Sequence, residues 1–257
     1  MAGPIRQCAL CLQVAELKNS HLIPAGVYRV CRDSTAANPN PMLLESNRRP
    51  YHTSQQTEAH LLCFDCEQLL SRNGENWVLK QMNRVTSFRL LDAANASPVV
   101  WDDGKWRVVD LRGHRNFRPS DLVHFAIGVV WRSAVWPEPE RRVELGPYKE
   151  GFRRFLTGEV DLPRSVSIQI QIDREHSRHL PLASFPTTAR IDSAWGHEFF
   201  VPGILFHVII GEATANLARH VDVREGRVAI FDFDDHLERG LWPHIRKMLA
   251  NPPDPSL

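Results

Sequence analysis

Four cysteines arranged as two C-x-x-C pairs, Cys8-Ala9-Leu10-Cys11 and Cys63-Phe64-Asp65-Cys66, constrain this chain more than any other feature. A two-residue spacer lets both sulfurs of a pair face one centre, and four thiolates meet the tetrahedral demand of a zinc ion. The pairs therefore predict one structural zinc held by Cys8, Cys11, Cys63 and Cys66. A redox dithiol is the rival reading, but that chemistry wants a C-x-x-C directly after a strand in a βαβ pattern, and neither pair has that setting. Cys31 stands alone and reads as a small buried hydrophobe. Thiolates kept for metal suit a reducing compartment, so the expected location is the cytoplasm.

The 257 residues are 43% hydrophobic and 24% charged, an ordinary balance for one large domain or two smaller ones. Net charge is +1, so no global basic field marks a nucleic-acid binder, and any basic surface must be local. The opening Met1 to Cys8 has no positive region followed by an apolar core, and no secretory signal is expected. The longest apolar stretch, Leu122 to Val135, is interrupted by His124 and Arg132 and is shorter than the roughly 20 residues a bilayer requires. No membrane partner is expected.

Residues 1–80 hold all five cysteines and a loop-like run rich in Pro and Asn, including Asn38-Pro39-Asn40-Pro41. A segment of that composition buries little apolar surface by itself, so zinc would supply much of its folding free energy, on the order of 10 kcal/mol. After the second pair, Glu67 to Arg72 reads as the opening of a helix, with Trp77 to Met82 continuing it beyond a break at Asn73-Gly74. Val99 to Asp110 is two short apolar runs around Asp103-Gly104, a strong hairpin signal. Pro119-Ser120-Asp121 then reads as the cap of a helix whose buried face carries Leu122, Phe125, Ala126, Val129 and Val130 until Pro137 stops it. Pro147 to Leu156 reads as a second amphipathic helix that packs against the first and ends at Gly158.

From residue 164 the period changes to two. Val166, Ile168, Ile170 and Ile172 alternate with Ser167, Gln169 and Gln171, which predicts a half-buried strand. Phe199 to Val201 and Ile204 to Ile210 predict two more strands around Pro202-Gly203, and Arg227 to Phe231 another, with a closing helix over 237–249.

The order C-A-L-C, then Ser20-His21-Leu22-Ile23-Pro24, then Leu61-Leu62-Cys63-Phe64-Asp65-Cys66 resembles the zinc-stabilised branch of the HNH endonucleases, which share a treble-clef, ββα-metal core. The resemblance covers roughly residues 5–72. It implies that His21 is the general base that activates water and that the four cysteines hold the structural zinc. In that family an asparagine before the second pair orients the base, and a final histidine binds a divalent metal that stabilises the leaving oxygen of a phosphodiester. Here Ser20 stands where the family has a metal-ligating aspartate or histidine, Glu58 stands near the expected asparagine, and Glu67 occupies the place of the final histidine. Glutamate can ligate Mg²⁺ or Mn²⁺ through oxygen, so the resemblance implies Glu67, with Glu58, as the carboxylates of such a centre. The substrate it implies is nucleic acid, DNA or RNA.

The residues themselves leave alternatives open. His21 also reads as a strand histidine tied into hydrogen bonds near the zinc, and His60, close before Cys63, reads either as the general base or a metal ligand or, more simply, as a surface or packing residue. Lys18, Arg29, Arg32, Arg48 and Arg49, interleaved with Tyr28 and Tyr51, form either a phosphate-binding face or solvated charge. Arg112, His114, Arg115 and Arg118 make a second basic run with the same two readings. Asp232, Asp234 and Asp235 read more simply as helix caps than as a second metal site, and His176 and His179 have no ligand partner in view.

The expected architecture is α+β: a treble-clef zinc module over 1–80, a hairpin and helical middle over 81–163, and an antiparallel sheet with a closing helix over 164–250. The expected function is nucleic-acid binding with divalent-metal hydrolysis of phosphodiesters. The alternative is a non-catalytic protein in which zinc staples the N-terminus and the C-terminal sheet binds a protein or small-molecule partner.

Overall fold

The computed structural model describes residues 3–32, 42–44, 51–53, 55–82, 84, 87–174, 182–191, 194–211 and 220–231. Arg48, Arg49, the His176 to His179 spacing, the Asp232 to Asp235 run and the closing helix over 237–249 lie outside them.

Strands β1 (Ile5–Gln7) and β2 (Val14–His21) form a hairpin, followed by helix α1 (Ala25–Arg32) and the short strands β3 (Met42–Leu44) and β4 (Tyr51–His52). Strand β5 (Glu58–Cys63) then pairs with β2, completing an antiparallel sheet in the order β1-β2-β5. Cys63 is the N-cap of α2 (Phe64–Leu70), which runs without interruption through a π-helical turn (Ser71–Glu75) into α3 (Asn76–Gln81).

The break expected at Asn73-Gly74 is therefore not a break, and Gly74 has another purpose. A Cβ on Gly74 would sit 2.8 Å from the Asp121 carbonyl oxygen and 2.9 Å from the Phe125 backbone nitrogen, both in the long helix that crosses here. Glycine is what lets the two backbones meet, and the extra residue of the π turn presents it to that contact.

Helix α4 (Arg89–Asn95) leads to the predicted hairpin, β6 (Val99–Asp102) and β7 (Arg107–Asp110). Its turn has Gly104 at φ 86°, which glycine adopts without Cβ strain, and Asp103 Oδ1 accepts from the Lys105 and Trp106 amides at 2.9 and 2.8 Å. Helix α5 (Pro119–Ala134) follows, then α6 (Tyr148–Leu156), which packs against it as expected. The N-cap of α5 is Arg118 rather than a Ser or Asp side chain. Pro119, with φ preset and no amide to satisfy, is the first helical residue.

The C-terminal region supplies β8 (Val166–Asp173), β9 (Leu182–Ser184), β10 (Thr187–Ile191), β11 (Ala194–Val201), β12 (Ile204–Ile210) and β13 (Arg227–Phe231). Five of these join the hairpin in a seven-stranded sheet, in the order β10-β11-β12-β8-β13-β7-β6. The sheet is not wholly antiparallel, because β13 runs parallel to β8, with Ala229 opposite Gln171. A third sheet, β4-β3-β9, joins the N-terminal and C-terminal halves through a parallel pairing of β3 with β9.

Strand β8 was expected half-buried, but Gln169 and Gln171 are buried, only 4% and 5% exposed, alongside the fully buried Ile168, Ile170 and Ile172. The reason is position: β8 lies in the middle of the sheet, with β12 on one side and β13 on the other. Ile168, Ile170, Ile172, Phe206 and Ile230 face α5, whose Phe125 ring lies 5.2 Å from Phe206, itself stacked on Phe199 at 4.9 Å. Apolar side chains from Cys8 to Ile230 form one continuous core. Leu22, Ile23, Val27 and Leu62 of the cysteine-bearing segment belong to it, so that segment is supported by burial shared with the rest of the core.

Candidate metal centre and the adjoining histidine face

The first cysteine pair sits in the turn between β1 and β2. The Cys8 amide donates to the Gln13 carbonyl at 2.8 Å, and the Leu12 amide to the Cys8 carbonyl at 3.0 Å. Leu12 has φ 63°, a left-handed conformation that costs a non-glycine residue about 1–2 kcal/mol and is held here by the surrounding bonds. The second pair straddles the start of α2, with Cys63 as cap and Cys66 in the first turn, where unsatisfied amides and the helix dipole favour thiolate charge. The two pairs are stitched together by the Ala9 amide, which donates to the Leu61 carbonyl at 3.1 Å, and by the Cys63 amide, which donates to Cys8 Sγ at 3.3 Å.

Sulfurs of Cys8, Cys11, Cys63 and Cys66 all lie within 4.8 Å of one another, and the sulfurs of Cys11 and Cys63 are 3.8 Å apart. Zinc–sulfur bonds of about 2.3 Å in a tetrahedron require sulfur separations of about 3.8 Å. None of the four is in a disulfide. The donor set and its dimensions therefore suit a metal ion such as zinc. The electrostatics agree. A hydrogen bond from the Cys66 thiol holds Cys8 down at about 4, while the same bond, together with burial, pushes Cys66 upward. Burial also raises Cys63. Four sulfurs this close cannot all carry charge unless a cation sits among them. Cys31 lies apart, fully buried, with its thiol pushed up to about 12 by desolvation, as an inert hydrophobe would be.

Strands β2 and β5 carry a polar face beside this cluster. His21 stands directly opposite Glu58, and Asn19 opposite His60. His21 Nε2 lies 2.8 Å from Glu58 Oε1, and the Asn19 amide donates to Glu58 Oε2. The pair is partly open to solvent, with His21 22% and Glu58 35% exposed. Tyr28, buried in α1, sets its ring 6.3 Å from that of His21 and accepts the Thr57 amide at 3.3 Å on its hydroxyl. Thus a histidine is fixed by a carboxylate that is itself fixed by an amide, an arrangement able to move a proton.

The other expected residues are placed differently. Ser20 is fully buried, and its Oγ accepts the Leu62 amide at 3.1 Å, so it serves the sheet and faces no ligand. Glu67 lies one residue beyond Cys66 on α2. Its Oε1 is buried with no hydrogen-bond partner, and it makes no bond to His21 or Glu58. His60 is exposed on β5. Lys18 is paired with Glu16 at 2.9 Å. Asn19 was not singled out from sequence, although its period-two offset from His21 was the available signal. Among the described residues, the four cysteines are the one group of three or more metal-ligating side chains. No described helix is long and apolar enough to cross a membrane.

No protein-family model, curated protein or solved structure matches this chain.

Proposed function

We propose that Cys8, Cys11, Cys63 and Cys66 hold one structural zinc ion in a treble-clef module, and that the adjoining face binds nucleic acid and hydrolyses a phosphodiester. The observation that carries this reading is the 2.8 Å contact between His21 Nε2 and Glu58 Oε1. With Nε2–H donated to the carboxylate, Nδ1 presents its lone pair and is the atom that takes a proton from water. Glu58 then stabilises the imidazolium, and Asn19 keeps the carboxylate in place. Zinc supplies scaffold, joining the β1–β2 turn to the start of α2 so that β2 and β5 stay in register. The Mg²⁺ or Mn²⁺ centre expected at Glu67 lacks a ligand set among the described residues, so no step is routed through it.

The test is cleavage of single- and double-stranded DNA and RNA, with Mg²⁺ or Mn²⁺ supplied, by the wild type, His21→Ala and Glu58→Gln. The expected result is a loss of about 100-fold or more on removing the base, with a smaller loss for Glu58→Gln. Equal cleavage by all three would refute the assignment. One observation favours a second reading, a non-catalytic binding module: both Glu58 oxygens are engaged within the protein, and Ser20 is closed off by its bond to Leu62. Binding without cleavage in the same panel would select that reading.

A further inference from the structure

A second concave site lies outside both the sulfur cluster and the His21 face, and shares no residue with either. It is a cavity of about 590 Å³ bounded by α3, α4 and the loop that leads into α5. That size falls within the roughly 300–1,000 Å³ of small-molecule sites.

Its lining is strongly one-signed. Lys80, Arg89, Arg115 and Arg118 face one carboxylate, Asp92. Lys80, Arg89 and Arg115 are exposed and make no ion pair with any described residue, and among the described residues Arg118 has only a long contact of 3.5 Å to Asp121. The neighbouring Arg112, by contrast, is neutralised by Asp110 through several bonds. In a chain whose net charge is +1, four cations around one concavity are a local concentration that composition does not force. Their mutual repulsion is relieved when an anion binds among them.

Two further features specify the anion. Trp77 and Phe117 line the same cavity and are half-buried, with their inner surfaces packed on the core, so each offers a ring already fixed in place. Aromatic surface beside arginine is the arrangement that accepts a flat base next to its phosphate. His114 also lines the cavity and adds a polar side chain beside the cations. We infer that this cleft binds a nucleotide, with the phosphate among Lys80, Arg89 and Arg115 and the base against Trp77 or Phe117. The ligand is either a free nucleotide or one nucleotide of a single strand. The inference stands whether or not the His21 face is catalytic.

The test is isothermal titration of the full-length protein with ATP, with a ten-residue oligothymidylate and with inorganic tripolyphosphate, at low and moderate salt. The wild type is expected to bind ATP or the oligonucleotide at least tenfold more tightly than tripolyphosphate. An oligonucleotide that binds tenfold more tightly than ATP identifies the strand as the source, and the reverse order identifies the free nucleotide. The variant Arg89→Glu/Arg115→Glu changes two exposed residues and is expected to keep the wild-type melting temperature. Its affinity should fall at least 30-fold, and its salt dependence should flatten by about two phosphate contacts. Trp77→Phe is expected to weaken binding a few-fold without altering that salt dependence. Absence of binding by the wild type, or unchanged affinity in the charge-reversed variant, would overturn the site. Tripolyphosphate binding as tightly as both ATP and the oligonucleotide would overturn the role of the base.

Discussion

Glu75 in the π turn and Arg132 in α5 join the helix that starts at the second cysteine pair to the centre of the molecule, and their contact can be weighed directly. Arg132 Nη2 lies 2.7 Å from Glu75 Oε1, with the arginine side chain 2% and the glutamate 16% exposed. Arg132 Nε is buried without a partner, so the guanidinium depends on Glu75 for its compensation. Replacing Glu75 by leucine keeps the volume and strands the cation. Breaking a buried pair costs about 3–5 kcal/mol, and the partly hydrated glutamate end places this case near 3 kcal/mol. For a chain of this size that lowers the melting temperature by about 6–12 °C. Replacing both partners, as Glu75→Leu/Arg132→Met, removes the stranded charge and should restore stability to within about 1 kcal/mol of wild type. Thermal and urea unfolding with zinc supplied in the buffer measure both variants. A single variant within about 0.5 kcal/mol of wild type, or a double variant as damaged as the single, would refute the reasoning.

Two further outcomes follow from the packing. Gly74→Ala is expected to lose about 1–2 kcal/mol despite the better helix propensity of alanine, because its Cβ meets α5 backbone at 2.8 Å; a stabilised variant in urea unfolding would show that the helices do not approach so closely. Glu198, buried on β11 with its Oε2 3.5 Å from His207 Nδ1, is pushed up to about 7 by desolvation. Its folded value exceeds its unfolded one, so the protonated form favours the native state and stability falls as pH rises from about 4.5 through about 7. At about 1.4 kcal/mol per pH unit, the penalty above that window reaches up to about 3 kcal/mol. Glu198→Gln should remove it, gaining stability at pH 8 but not at pH 4.5, and identical pH profiles for variant and wild type would contradict the buried carboxyl.

Local spacing carried the legible part of this molecule. The cysteine pairs declared their cluster because a two-residue spacer is a statement about geometry, and the Asp103-Gly104 hairpin and the α5 and α6 periodicities were equally local. Partners distant in sequence were not legible. The parallel pairing of β13 with β8 gives no periodic signal, and without it Gln169 and Gln171 read as solvent-facing when both are buried. Gly74 read as a helix breaker because its reason for being glycine lies in α5, nearly 50 residues downstream. At the site, His21 and Glu58 were named separately, but that they would stand opposite each other depends on the register of β2 and β5, which shifts between Lys18 and Asn19. That same register brought in Asn19 and closed Ser20 against Leu62.

The proposed module at the N-terminus depends on the four sulfurs holding zinc. Elemental analysis of freshly purified protein, combined with X-ray absorption at the zinc edge, measures it directly. About one zinc per chain, bound by four sulfurs at about 2.3 Å, is expected, as is its loss in a Cys8→Ser/Cys63→Ser variant. Metal-free protein with all four thiols open to titration, or zinc bound through nitrogen and oxygen and retained by that variant, would contradict it.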